Sequence, residues 1–177
     1  GREIRLLGIG RHPCNGLRKG TIVNLSETIE SIRSSLHSAQ EMAQREVSSA
    51  CVSLGGPFLI GLNRSGTTEV RGRHGEVTAD DVSRAVLDAH DKQIPEDHQI
   101  VHVLNQNFKL DSQEGIENPL GLSGQELTVN LHLVMTSIST IQNILNASNK
   151  AGLMVDSVVM QSLASSSSVL SRDEKAM

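Results

Sequence analysis

The chain is poor in aromatic residues and in cysteine, and both scarcities exclude functions. Aromatic residues make up 1% of its 177 residues, and it contains no Trp and no Tyr. Because proteins that bind single-stranded nucleic acid stack the bases on aromatic side chains, this composition argues against that class. The formal net charge of -4 supplies no basic footprint for nucleic acid either. The two cysteines, Cys14 and Cys51, suit a reducing compartment better than a disulfide framework.

Long apolar runs are also missing. No run approaches the roughly 20 residues that a membrane-spanning helix requires. Residues 1–5 include Glu3 and lack the apolar stretch of a secretory signal. The chain has no initiator methionine, so we expect it to be a fragment of a longer protein. Its length suffices for one ordinary domain or two small ones, with a core of Leu, Ile, Val, Ala and Met.

Two runs of alternating apolar and polar residues are the clearest structural pattern. They cover residues 98–111 and 126–135, and a period of two predicts two half-buried strands. The segment between them, residues 112–125, is long for a hairpin connection, and such loops tend to pack on themselves or to bind something. We expect a specific packed conformation here, set by Gly115, Asn118, Pro119, Gly121 and Gly124.

The first third of the chain has the pattern of a strand, a helix and a second strand. Residues 4–9 and 50–54 are short apolar segments that predict strands. Between them, Asn24 followed by Glu27 predicts the start of a helix by a capping box. This order is typical of a βαβ unit with a parallel strand pair. Its helix is expected to bury an apolar stripe made of Ile29, Ile32, Leu36, Ala39 and Ala43.

The middle of the chain predicts the order strand, helix, strand, strand. A strand is expected at 58–62, followed by a loop or a ragged edge strand. Thr78 is the expected cap of the helix. Its acidic residues, Asp80, Asp81 and Asp88, are interpreted as a solvated helix face, with the first two near the positive end of the dipole. Beyond the second alternating run, Thr136 or Ser137 is expected to cap a further helix, which ends at Gly152.

No pattern in the chain predicts a catalytic or metal centre. Gly8-Ile9-Gly10 suggests a dinucleotide fingerprint, but Pro13 stands where the third glycine would be needed. Three histidines, His98, His102 and His132, could hold zinc, yet no carboxylate or cysteine is spaced to complete the site. We therefore predict neither.

A modest positive patch is formed by Arg64, Arg71, Arg73 and His74. The ordinary interpretation is a solvated loop, and the alternative is a surface that meets an acidic partner.

The long segment between the alternating runs carries a family resemblance. Gln113-Glu114-Gly115-Ile116, followed by Asn118-Pro119-Leu120-Gly121-Leu122-Ser123-Gly124, resembles the FtsA family of bacterial cell-division proteins, which are actin-like. Weaker likeness at residues 18–24 and 151–156 extends the resemblance over essentially the whole chain. The sequence departs from the family at residues 54–58, where a Ser-Gly pair and then a histidine are usual, so we do not expect this chain to make a contact that depends on that histidine.

The resemblance implies an α/β fold that carries an α+β insert. Residues 1–55 and 135–177 would form part of the actin-like core, subdomain 1A. Residues 56–134 would form the inserted strand-helix-strand-strand subdomain of the SHS2 type, called 1C. The two phosphate-binding hairpins of the family would lie outside residues 1–177. We therefore expect no nucleotide binding and no catalysis by this chain, whereas the longer parent would bind ATP and Mg²⁺.

The same resemblance implies an interaction fragment of a protein that tethers FtsZ filaments to the membrane at the septum. The expected partners are further copies of FtsA and divisome proteins such as FtsN, with its cytoplasmic tail. FtsZ and the membrane would be contacted through a subdomain and a C-terminal amphipathic helix outside this chain. The expected location is cytoplasmic, with the parent peripheral on the inner face of the cell membrane. The candidate interaction residues are Arg64, Arg71, Arg73, Asn118, Pro119, Gly121 and Gly124.

Two alternatives come from related actin-like proteins. One is a PilM-like platform protein of a pilus or secretion machine, against which the string at residues 113–124 argues. The other is a fragment of a nucleotide-dependent phosphotransferase of the actin/hexokinase group. The insert, in place of a sugar-binding signature, argues against that alternative.

Overall fold

A computed structural model describes residues 5–90 and 94–176 and divides them into two compact units. Unit 1 contains the residues up to Phe58 and those from Ser137 onward, and unit 2 is Leu59–Thr136. Both units mix helices with strands, so the fold is the α/β class with an α+β insert that the sequence predicts. In chain order the elements are β1 (Leu17–Arg18), β2 (Thr21–Ile22), α1 (Leu25–Ala43), β3 (Ser49–Leu54), β4 (Ile60–Glu69), α2 (Ala79–His90), β5 (His98–Leu110), β6 (Gln113–Ile116), β7 (Glu126–Ser137), α3 (Ile138–Lys150), β8 (Met154–Met160), α4 (Gln161–Val169) and α5 (Arg172–Ala176).

Helix α1 begins at the predicted cap. The Asn24 side-chain oxygen accepts from the Glu27 amide at 3.2 Å, and the Asn24 amide group donates to the Glu27 carboxylate at 2.9 Å. The buried residues of the helix, however, are Thr28 and Ser31, whose hydroxyls donate to backbone carbonyls one turn earlier. The predicted apolar stripe is only half-buried. Burial of polar residues is tolerated here because each hydroxyl has a hydrogen-bond partner.

The predicted strand at residues 4–9 is wrong over residues 5–9, and Ile4 lies outside the described residues. The backbone of Gly8 and Gly10 lies directly against α1, where a Cβ on Gly10 would overlap the Ser35 carbonyl. Glycine permits such an approach because it has no side chain. Because residues 5–9 form no strand, the predicted βαβ pairing is wrong as well. The parallel partner of β3 is β8 instead, in a register from Ser49↔Met154 to Leu54↔Met160.

Unit 2 is built on a four-stranded sheet in the order β4-β7-β5-β6. Strands β4 and β7 pair antiparallel from Ile60↔Met135 to Glu69↔Glu126. The alternation predicted for β7 is confirmed, since every second residue from Leu127 to Leu133 is fully buried. Helix α2 packs close to β4 at Gly66, where a Cβ would overlap the backbone of α2. The core of the unit contains Val77, Ala85, Ala89, Phe108, Leu110, Ile116, Leu127, Val129, Leu131, Leu133 and Met135.

The segment predicted as a long loop contains a further strand. Strand β6 pairs antiparallel with β5 through Phe108↔Ile116 and Leu110↔Gln113. The turn between them places Asp111 at a φ of 52°. The Asp111 carboxylate accepts from the backbone amide of Glu126 at 2.9 Å, which ties the turn to the first residue of β7. A strand of four residues is too short to be recognised from an alternating pattern. Its extended conformation is set by pairing with β5.

Candidate functional site: a surface of two paired loops

Two loops of unit 2 are joined by backbone hydrogen bonds. One loop, residues 70–77, connects β4 to α2, and the other, residues 117–125, connects β6 to β7. We call the surface that they form the paired-loop surface. Its hydrogen bonds run from Val70 N to Gln125 O (2.8 Å), from Val77 N to Leu122 O (2.8 Å), from Gly121 N to Val77 O (3.0 Å) and from Gly124 N to Gly75 O (3.0 Å).

The loop at 117–125 takes a specific conformation that its own residues explain. The Asn118 side-chain oxygen accepts from the Leu120 amide at 3.2 Å, a local turn of the kind that Asn favours. Pro119 is buried beneath it. Gly121 has a φ of 78°, in the left-handed region that favours glycine. At Gly124 a Cβ would lie 2.6 Å from the Leu110 side chain, so close packing requires glycine there.

The loop at 70–77 is held by a fully buried carboxylate, that of Asp81. It accepts from the backbone amide of Arg71 at 3.0 Å and from the amide and hydroxyl of Thr78 at 2.8 and 2.6 Å. The Arg84 guanidinium also contacts it. Burial alone would raise the pKa of Asp81, but the hydrogen bonds from Thr78 and Arg71 and the charge of Arg84 outweigh it. The pKa falls to about 2, so the carboxylate is ionised at neutral pH.

The interpretation of the acidic residues of α2 as a solvated face is therefore wrong for Asp81. Asp80 does lie in solvent and pairs with Arg84 at 3.1 Å. Asp88 accepts from the backbone amide of Thr67 in β4 at 2.9 Å, and Arg84 donates to the Glu69 carbonyl at 3.2 Å. Side chains of α2 thus satisfy outward-facing backbone groups of the edge strand β4. Capping of this kind opposes pairing with another strand along that stretch.

The structure brings together most of the predicted interaction residues. Arg71 and Arg73 are exposed on the loop that hydrogen-bonds to the Asn118–Gly124 segment. Within residues 5–90 and 94–176, neither guanidinium forms an ion pair or a hydrogen bond. Arg64 is not part of this surface, because it lies within β4 opposite Leu131.

Two leucines add apolar area that the sequence did not single out. Leu120 is 51% exposed and Leu122 is 39% exposed, whereas Val77, hydrogen-bonded to Leu122, is buried. No alternation marks these leucines as surface residues, because each lies between glycine, proline or serine. Arg is enriched over Lys at protein-binding surfaces, and the exposed leucines add apolar area to this one.

The face of the sheet opposite α2 is polar. Hydrogen bonds join side chains across it, from His132 to Asn63 (2.7 Å), from Ser65 to Asn130 (2.7 Å) and from Asn130 to Asn107 (2.7 Å). Of the histidines considered for zinc, His132 thus pairs with an amide, and His98 pairs with Asp97 at 2.7 Å. In the part of the chain that the structure describes, no three His, Cys, Asp or Glu side chains are grouped to hold a metal ion.

No helix among the described residues is long and apolar enough to cross a membrane.

Comparisons with family models and with curated proteins both relate this chain to FtsA. A family model described as the SHS2 domain inserted in FtsA matches residues 57–135. Cell division protein FtsA of Pseudomonas aeruginosa is 38% identical over 99% of this chain, and FtsA of Escherichia coli is 32% identical over 98%. The chain spans only 42% and 41% of those two proteins.

Among solved structures, a PilM–PilN type IV pilus biogenesis complex matches with a TM-score of 0.49 and 16% identity. That match covers 88% of this chain and 40% of the other, and at this level it supports no conclusion about function. The SHS2 match and the identity along almost the whole sequence show that this chain belongs to the FtsA family of cell-division proteins, as a segment that contains their SHS2 domain.

Proposed function

We propose that this chain is the interaction segment of an FtsA-type protein, and that unit 2 mediates self-association and contacts with other division proteins. The observation that carries this proposal is the paired-loop surface. Its backbone is fixed by hydrogen bonds, and it presents exposed Arg71 and Arg73 on one loop and exposed Leu120 and Leu122 on the other. A rigid surface loses little entropy on binding, which favours a role in recognition.

The remaining functions belong to the longer parent protein. The parent tethers FtsZ filaments to the membrane at the septum, binds ATP with Mg²⁺, and is cytoplasmic and peripheral on the inner face of the cell membrane. FtsZ and the membrane are contacted by segments outside residues 1–177. The segment itself is not an enzyme. The family relationship supports this assignment of roles, because the chain covers only 42% of a relative such as the Pseudomonas aeruginosa protein.

Self-association is tested by light scattering of the chain over a range of concentrations. The expected result is a molar mass that rises with concentration. Leu131→Ala is the control for association through partial unfolding, because this substitution lies in the core and leaves the surface unchanged. A chain that stays strictly monomeric at high concentration would contradict self-association.

Contact with a division protein is tested with a fluorescent peptide of the FtsN cytoplasmic tail. Anisotropy is expected to show saturable binding to the chain, and a scrambled peptide of the same composition is the control. Equal binding of the two peptides would mean that no specific contact exists.

Absence of nucleotide binding is tested by calorimetric titration with ATP and Mg²⁺. The expected result is heats of dilution only. Saturable binding in the micromolar range would contradict the assignment of nucleotide binding to the rest of the parent.

A further inference from the structure

We infer that the paired-loop surface docks an extended, acidic segment of a partner protein. In this arrangement, carboxylates of the partner pair with Arg71 and Arg73, and its apolar side chains cover Leu120 and Leu122. The inference rests on the proposed role of unit 2 in protein recognition and adds the chemistry of one partner.

The charges of unit 2 point to a carboxylate ligand at these arginines. Among its other described cations, Arg84 pairs with Asp80 and Asp81, Lys109 pairs with Glu114 at 3.2 Å, and Arg64 lies within β4, outside the paired-loop surface. Arg71 and Arg73 have no such partner among the described residues. A guanidinium presents a planar fork of donors that matches a carboxylate. A partner could therefore bind both without displacing an existing ion pair.

The backbone that carries the two arginines is already ordered. The Arg71 amide is held by Asp81, and residues 73–75 form a short 3₁₀ turn. In that turn His74 and Gly75 have positive φ values of 59° and 74°, and the Gly75 carbonyl accepts from Gly124. Because the loop does not have to become ordered on binding, more of the interaction energy is retained as affinity.

The composition of the surface favours a peptide over a membrane. Recognition of anionic lipid by charge typically uses clusters of about four to eight Lys or Arg residues, and this surface has two unpaired arginines. Exposed Glu76 and Glu117 lie on the same two loops and would repel a broadly anionic surface. They also restrict the carboxylates of a partner to the Arg71–Arg73 turn. The leucines supply the apolar part of the contact.

The test uses the whole chain and short fluorescent peptides of three compositions. One peptide alternates Asp with Leu, one alternates Lys with Leu, and one alternates Asp with Ser. Anisotropy at low salt is expected to show binding of the Asp–Leu peptide, weaker binding of the Asp–Ser peptide and none of the Lys–Leu peptide. Binding of the Asp–Leu peptide should weaken as salt is added, because the pairs are exposed to solvent.

Variants assign the binding to this surface. The double variant Arg71→Glu with Arg73→Glu is expected to lower the affinity for the Asp–Leu peptide by about tenfold or more, and Leu120→Ser with Leu122→Ser by a smaller factor. The matched control is Arg11→Glu with Arg18→Glu, which changes the net charge equally through exposed arginines of unit 1 and should leave the affinity unchanged. Circular dichroism establishes that each variant is folded.

Several outcomes would overturn the inference. They are equal affinity for the Lys–Leu peptide, no binding of the Asp–Leu peptide up to about 1 mM, or an affinity that the Arg71/Arg73 variant leaves unchanged. A lipid ligand would be indicated by a different set of results. The chain would sediment with phosphatidylglycerol vesicles, the Arg71/Arg73 variant would not, and the Asp–Leu peptide would not bind. If self-association or FtsN binding persists in those cases, the proposed function stands and only this inference fails.

Discussion

The conformation of single residues decides the shape of the paired-loop surface, and Gly121 shows how. Its φ of 78° is unfavourable for any residue with a Cβ, yet no heavy atom beyond its own chain neighbours lies within 4 Å of where that Cβ would be. Gly121→Val should therefore lower the free energy of unfolding by roughly 1 kcal/mol through backbone strain alone. Gly121→Asn should cost less, because Asn tolerates this region. Urea unfolding measures both, and an unchanged midpoint in the Val variant would show that the loop does not need this conformation.

Asp81 is the residue on which the loop at 70–77 depends most. Its replacement by Asn places an amide group opposite the backbone amides of Arg71 and Thr78 and removes the charge that pairs with Arg84. We expect a loss of about 2 to 3 kcal/mol, the usual cost of unpairing buried polar groups. Asp80→Asn is the matched control, because the Asp80 side chain is exposed, and its effect should be within about 0.5 kcal/mol.

The contribution of Asp81 should also depend on pH in a defined direction. The pKa of Asp81 is about 2 in the folded chain, whereas the ordinary pKa of an aspartate, which applies to the unfolded chain, is 3.8. The unfolded state therefore binds the proton more readily. The stabilisation is then fully present above about pH 4 and is lost as the pH falls towards 2. The difference in the free energy of unfolding between the unsubstituted chain and the Asp81→Asn variant should decrease over that pH range. A difference that stays constant from pH 7 to pH 2 would contradict the assignment.

At the scale of elements, α2 does more than cover the core of unit 2. Through Asp88 and Arg84 it occupies outward-facing backbone groups at Thr67 and Glu69 of β4. Edge strands in proteins need such protection, since open backbone groups invite pairing with another chain. The helix is brought near enough by Gly66, which has no side chain to hold the two elements apart.

Hydrogen exchange of the Thr67 amide tests this capping. Asp88→Ala should raise its exchange rate by roughly tenfold, which corresponds to the net contribution of one hydrogen bond. The amide of Gly66 is the internal control, because neighbouring residues of a strand point their amides to opposite sides and that of Gly66 faces β7. Equal acceleration at both residues would indicate general unfolding of β4 instead of loss of one bond.

At the scale of the whole molecule, unit 2 has a hydrophobic core of its own. All the residues of that core, from Val77 to Met135, lie within Leu59–Thr136. A compact unit with a separate core is expected to fold without the rest of the chain.

Expression of residues 57–136 alone tests this independence. We expect a single cooperative urea transition, and Leu131→Ala should lower the stability by about 2 to 5 kcal/mol because Leu131 is completely buried. A gradual, non-cooperative transition of the excised unit would show that it needs the residues of unit 1.

Local signals in the sequence were sufficient for much of the fold. Capping of α1 by Asn24 and of α3 by Ser137, and the alternation of β7, depend on residues within one or two turns or on one strand. Each is set by short-range hydrogen bonds or by the choice of one buried face, which nearby residues specify.

What required the tertiary structure was the choice of partners across long separations in the chain. Nothing near β3 specifies that it pairs with β8, or that residues 5–9 lie against α1 through glycine instead of joining a sheet. Burial of Asp81, and the pairing of the loops at 70–77 and 117–125, likewise depend on groups brought together by folding. The sequence by itself determined the family, the types of most elements, though not the state of residues 5–9 or of β6, and the candidate residues of the second loop. Only the packed chain decided which of those residues share a surface, because hydrogen bonds and van der Waals contacts act over a few ångströms in space, whatever the distance along the chain.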